Sequence, residues 1–155
     1  MLRLPAAWPL VFALFGMACG SVNQGEDFQF AEVIYDQNYF YCQVEPMLTA
    51  QNCGPGKSGT DAPNGCHENV TSFRLTPHTA VPCGGPKGVV PLGLNIPAEA
   101  RSNYEAAARE MSPEPDRAPL LNRPTRRAAH PRQIFDPQSP EAEIIRQWAT
   151  KYTSQ

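Results

Sequence analysis

Val44-Glu45-Pro46-Met47-Leu48, then Cys53, then Cys66-His67 across a gap of twelve residues, is the stretch on which the reading of this chain turns. A c-type haem hangs from two cysteine thioethers, and the histidine directly after the second cysteine ligates the iron. The usual spacing is C-x-x-C-H. Here the gap is Gly54–Gly65, a run of Gly, Pro, Ser, Asp and Asn with all the chemistry of a turn, and it reads as an extruded loop. Lengthening a closed loop from two residues to twelve costs roughly (3/2)RT ln 6, about 1.6 kcal/mol, so the insertion alone does not forbid attachment. The same cysteines have a second reading, a disulfide across the loop that would stabilise by about 3 kcal/mol. Both readings stay open at this point. A zinc site from Cys53, Cys66, His67 and Cys83 lacks the short C-x₂₋₄-C pairing such sites use.

The surroundings bound the answer. At 155 residues the chain has room for one domain. Hydrophobic residues make up 41 %, enough for a core, while charged residues are 18 % and prolines number 17 beside 11 glycines. The excess of Pro and Gly predicts long loops. A net charge of −2 gives no general reason to expect nucleic acid as a partner.

The N-terminus reads as an export signal over 1–18: Arg3, then the apolar stretch Leu10–Phe15, then Gly16-Met17-Ala18-Cys19. Two processing routes fit, ordinary signal peptidase before Cys19 or lipoprotein processing with a diacylglycerol on Cys19. Removing Cys19 from the count leaves Cys42, Cys53, Cys66 and Cys83, an even number suited to an oxidising compartment, which favours lipidation. Gly20 after the cysteine, where Asp would retain the protein, then predicts an outer-membrane lipoprotein facing the periplasm or cell surface. Residues 19–30 read as a polar tether, and the domain as 31–153.

Three helices are legible by period, which makes the fold class mainly α: a small domain of about three helices with long Gly/Pro-rich loops. The first lies within Asp36–Asn52, with Tyr41, Val44 and Leu48 on one face and Pro46 either kinking it or starting a second segment. The second is Pro97–Met111, with Tyr104, Ala107, Ala108 and Met111 in phase. The third is Ser139–Tyr152, where Ser139 is an N-cap, Pro140 the first helical residue, and Ile144, Ile145, Trp148 and Tyr152 one apolar face. Small helices joined by long loops need something besides a core, such as disulfides or a large cofactor.

Taken in order, these pieces resemble a family. Val44-Glu45-Pro46-Met47-Leu48…Cys53…Cys66-His67 is similar to the V-x-P-[IL]-[LF]-x₃-C-x-x-C-H opening of planctomycete-type cytochrome c domains. Asn103-Tyr104-Glu105-Ala106-Ala107, Leu120-Leu121-Asn122-Arg123-Pro124, His130 and Phe135-Asp136…Ser139-Pro140…Trp148 resemble that family's later blocks. The likeness spans roughly residues 33–150. The chain departs from the pattern in the cysteine gap, in one extra residue between Pro46 and Cys53, and in Pro131-Arg132-Gln133 where the family has glycines. The resemblance implies a cytochrome c-like fold, with Cys53 and Cys66 as thioether positions and His67 as proximal ligand. His130 is then the first candidate for the sixth ligand, Met111 the next and His78 the last.

Each candidate also has a plain structural role: Met111 as core, His130 as a surface histidine among prolines and arginines. Cys42 and Cys83 have no place in the haem motif and are expected to pair with each other. Arg117, Arg123, Arg126, Arg127 and Arg132 form a basic run that serves as a solvated loop, or contacts haem propionates or an acidic partner. No hydrolase triad, phosphate loop or carboxylate pair is present, which argues against an enzyme. Two functions of different class follow. One is an envelope-anchored single-haem electron carrier, held to the membrane by its lipid and exchanging electrons with a redox partner protein or envelope complex. The other is a haem-free, disulfide-stabilised lipoprotein acting as a structural or assembly part of a cell-surface machine, for example for gliding motility.

Overall fold

The computed structural model describes residues 32–54, 67, 72–85 and 88–154. All lie in the compact unit Ala31–Gln155. Cys19, Cys66, the export signal and the tether lie outside the described residues.

The described fold is mainly α. It opens with β1 (Val33–Tyr35) and closes with β2 (Tyr152–Ser154), which pair antiparallel with Val33 opposite Ser154 and Tyr35 opposite Tyr152. Around this closure the Asp36 N–H donates to the Lys151 carbonyl at 2.8 Å. The Trp148 indole N–H donates to the Asp36 carbonyl at 2.9 Å. Tyr152, expected on the apolar face of the third helix, therefore belongs to a strand. The helix stops at Ala149, where Thr150 and Lys151 turn their N–H groups back to Gln147 and Trp148, and the chain leaves to meet β1.

The first helical run spans Gln37–Ala50 in three registers: α1 (Gln37–Tyr39), a π-helical turn (Phe40–Val44) and α2 (Glu45–Ala50). Asp36 caps it, its side chain accepting from the Tyr39 N–H at 3.0 Å. The π turn has a cause in Pro46. A regular helix would press the proline ring against the Cys42 carbonyl and leave that carbonyl without a donor. The chain instead widens just before it, the Glu45 N–H bonding the Phe40 carbonyl five residues back. Pro46 thus stands in the first turn of a new α-helical segment, α2, which follows the π turn without a break in the helical run.

Phe40, Val44 and Leu48 line the buried face of this run. They pack with α3 (Ala98–Arg109), which buries Ala100, Tyr104 and Ala107, and with α5 (Pro140–Ala149), which buries Ala142, Ile145 and Trp148. Ser139 caps α5 by accepting from the Ala142 N–H at 3.3 Å. Four aromatic rings tie these elements together. Trp148 stands 5.2 Å from Phe40, 5.4 Å from Tyr35 and 6.1 Å from Tyr104, centre to centre. The Tyr104 hydroxyl donates to the Tyr35 carbonyl at 2.7 Å, so burying that phenol leaves no unmet donor.

Cys42, in the π turn, is joined to Cys83 as the sequence predicts, with Cα atoms 5.7 Å apart. The bond fastens the loop before the Gly84–Val89 bridge to the first helical run. A second fastening sits nearby. The buried Glu45 carboxylate accepts from Asn103 Nδ2 at 2.9 Å and meets His78 Nε2 at 2.7 Å. Asn103 also exchanges two hydrogen bonds with the Thr76 main chain, at 2.6 and 2.9 Å.

Between α3 and α5 lie a short 3₁₀ turn (Pro115–Arg117) and the single-turn α4 (Pro119–Asn122). Neither is foreseen by periodicity, because each is too short to show a period.

Candidate functional site

An apolar cleft, open to solvent, lies between the end of α2, the start of α4, His67, Phe73 and the loop at 124–134. Its walls are Leu48, Phe73, Pro119, Leu120, Pro124 and Ile134, and its polar groups are Cys53, His67, Glu110, Arg123 and His130. Three of the site residues expected from sequence, Cys53, His67 and His130, are thereby brought to one place.

Cys53 reaches the cleft through the end of its helix. The Cys53 N–H bonds the Leu48 carbonyl at 2.9 Å and the Asn52 N–H bonds the Thr49 carbonyl at 3.1 Å. Asn52 between them has φ 54°. These are the two bonds of a Schellman cap, with Asn in the left-handed position it tolerates better than most side chains. Such caps bring the residue after the left-handed one against the helix's last turn, and here Cys53 and Leu48 share the cleft wall.

His67 packs edge-on against Phe73 at 4.9 Å and hydrogen-bonds the Phe73 main chain. Burial pushes its pKa below the ordinary histidine value; the Phe73 bond works against this, and the nearby His130 and Arg123 add to it. The ring is thus held neutral at neutral pH, the form in which imidazole binds a metal.

His130 is delivered by a loop closed at its base, where the Ile134 N–H bonds the Pro124 carbonyl at 2.8 Å. Its Nδ1 lies 2.6 Å from the Arg132 carbonyl. A carbonyl accepts only, so Nδ1 is the donor in this contact and Nε2 is the nitrogen left to face a ligand. Fixing one ring nitrogen on a main-chain carbonyl is the usual support of a metal-ligating histidine.

The ring centres of His67 and His130 are 6.2 Å apart, with planes at 30°. Two imidazoles on opposite sides of one metal ion come to about 6 Å, from two metal–nitrogen bonds of about 2 Å and about 1.2 Å from each nitrogen to its ring centre. Two such ligands are the number a haem iron takes beyond its four pyrrole nitrogens. The apolar walls, the neutral His67 and the thiol-bearing wall at Cys53 fit that group.

Met111 and His78 stand elsewhere. Met111 is half-buried against the core, and its neighbour Glu110 is the residue on the cleft wall, paired with Arg123 at 3.0 Å. His78 is engaged with Glu45 and with the Thr79 carbonyl at 2.7 Å. Cys83 is held in its disulfide, which removes it from any zinc-binding set. No helix among the described residues is long and apolar enough to cross a membrane. No family model, curated protein or solved structure matches the chain.

Proposed function

We propose that this chain is an envelope-anchored, single-haem electron carrier with a cytochrome c-like fold. The observation that carries the reading is the meeting of Cys53, His67 and His130, distant in sequence, in one apolar cleft. Cys53 and Cys66 would hold haem c through thioethers, His67 would be the proximal ligand, and His130 the sixth. Bound there, haem would supply reversible one-electron chemistry. The chain's own part is to hold both imidazoles oriented and to surround the site with Leu48, Phe73, Leu120 and Ile134, an apolar lining that sets the potential. The Cys42–Cys83 disulfide supports an oxidising compartment outside the cytoplasm, where c-type haem is attached. Lipidation at Cys19 would hold the carrier to the outer membrane, and its partner would be a redox protein or envelope complex, not nucleic acid.

The test is a haem stain on a denaturing gel, with intact mass, of protein made in a host with working c-type maturation. Stain and a mass gain of one haem are expected. No stain, with Cys53 found joined to Cys66, would overturn the carrier reading in favour of the haem-free lipoprotein acting in a cell-surface assembly.

A further inference from the structure

From Arg117 to Phe135 the chain carries five arginines and no acidic residue, which leaves −7 on the rest of a chain whose net charge is −2. The fold brings part of this charge to the cleft. Arg123 lines it, and Arg132 supplies the carbonyl that orients His130. Arg74 follows the wall residue Phe73, and its side chain is exposed, as are those of Arg123, Arg126, Arg127 and Arg132. Three of the set are paired: Arg117 and Arg127 meet Glu114 and Asp116 at 2.8 and 2.7 Å in exposed pairs, and Arg123 meets Glu110 at 3.0 Å on the cleft wall. Such pairs contribute little and exchange readily with other carboxylates. Arg126 has no ion pair among the described residues and sits at φ 58°, a backbone conformation where glycine or asparagine would be at ease. That is an unfavourable place for an arginine unless its side chain is used.

We infer that this arginine rim is a docking surface for the acidic face of a protein partner, which it would seat over the cleft. The inference deepens the proposed function and rests on it for the partner's redox role, while the docking itself can be observed without any cofactor. Arginine forks suit discrete carboxylates. A partner with clustered Asp and Glu would be steered to the rim and aligned with the group behind it. A bilayer fits less well. The exposed large apolar side chains among the described residues, Val89, Leu92, Leu94 and Tyr152, belong to other segments, and residues 117–135 themselves carry none to insert into lipid.

The experiment uses the full mature chain, isotope-labelled, with two trivalent chromium complexes as paramagnetic NMR probes: the hexacyanochromate(III) anion and the tris(ethylenediamine)chromium(III) cation. The anion should broaden the amides of residues 74 and 117–132 selectively, the cation should not, and added salt should remove the difference. Arg126→Asn with Arg127→Gln should cut the broadening roughly threefold while leaving the rest of the spectrum in place. Asn is chosen because it accepts the left-handed backbone. Uniform broadening, or broadening centred elsewhere, overturns the docking surface. A third arm adds phosphatidylglycerol vesicles to the Cys19→Ser chain; binding through these same amides would assign the rim to lipid and overturn the protein partner. The haem stain reads the other proposal separately. Localised broadening without stain keeps the docking and removes the partner's redox role, whereas stain without localised broadening removes the docking alone.

Discussion

His67 and His130 line one cleft with ring centres 6.2 Å apart, each ring tied to a main-chain group, Phe73 in one case and Arg132 in the other. If haem occupies the cleft, His67→Ala should leave covalent haem high-spin, with added imidazole restoring the low-spin form. His130→Ala should open the sixth position while the thioethers hold. Met111→Leu should leave the spectrum unchanged. Visible spectra of the three variants check this, and a shifted spectrum only in Met111→Leu would reassign the sixth ligand.

The two half-buried histidines, His67 and His78, should act on stability in opposite senses. His67 has its pKa lowered in the fold, so the unfolded chain takes up its proton first and stability rises with pH toward 6.5. His78 is the reverse. Burial works to lower its pKa, but hydrogen bonds to Glu45 and the Thr79 carbonyl and the Glu45 charge leave it above the ordinary value. Its contribution is complete below pH 6.5 and fades as pH rises through the folded value. Urea unfolding of His78→Gln should thus show a deficit of about 2 kcal/mol at pH 6 that shrinks at pH 9. A deficit that grows with pH would refute the assignment.

Glu45→Gln tests the same cluster from the other side. The amide still accepts from Asn103 but no longer balances a charged His78. A loss of about 1–3 kcal/mol at pH 6 is expected, with Asn103→Ala costing a similar amount because the Thr76 N–H and carbonyl both lose their partner. Equilibrium unfolding with the disulfide intact gives both values.

Opening Cys42–Cys83 by a double Ala substitution frees a loop of about 42 residues, for which chain entropy predicts a loss of about 4 kcal/mol. Non-reducing peptide mapping of the wild type should recover Cys42 and Cys83 in one linked pair. Cys42 joined to Cys53 or Cys66 would contradict it.

Asn52→Val should cost about 1–2 kcal/mol, since a β-branched side chain is poorly placed at φ 54°. Asn52→Gly should be neutral or stabilising. If the cap positions Cys53, Asn52→Val should also reduce haem attachment in the maturation host, and the gel stain reads that directly.

How far the sequence could be read depended on how local each feature is. The helices were legible because Tyr41, Val44 and Leu48, Tyr104 and Ala107, and Ile145 and Trp148 repeat at helical spacing and are all buried. β1 and β2 were not, because three residues show no alternation and their pairing joins the two ends of the domain. Cys53, Cys66, His67 and His130 were candidates by motif and order, but only the fold could bring His130 across to His67. The Glu45–His78–Asn103 cluster was missed although it left a trace: Glu45 shares a helical face with Tyr41 and Leu48, and Asn103 with Ala100 and Ala107. A polar side chain on an apolar stripe needs a buried partner.

The Cys42–Cys83 bond also has a topological result. It encloses every residue from 43 to 82, including Cys53, Cys66 and His67, in a covalent ring. A protease that cuts once anywhere in that ring leaves the two fragments joined, and the site-bearing segment stays on the protein. Losing it takes a second cut or a reductant, so a nicked molecule should run at full length on a gel until thiol is added.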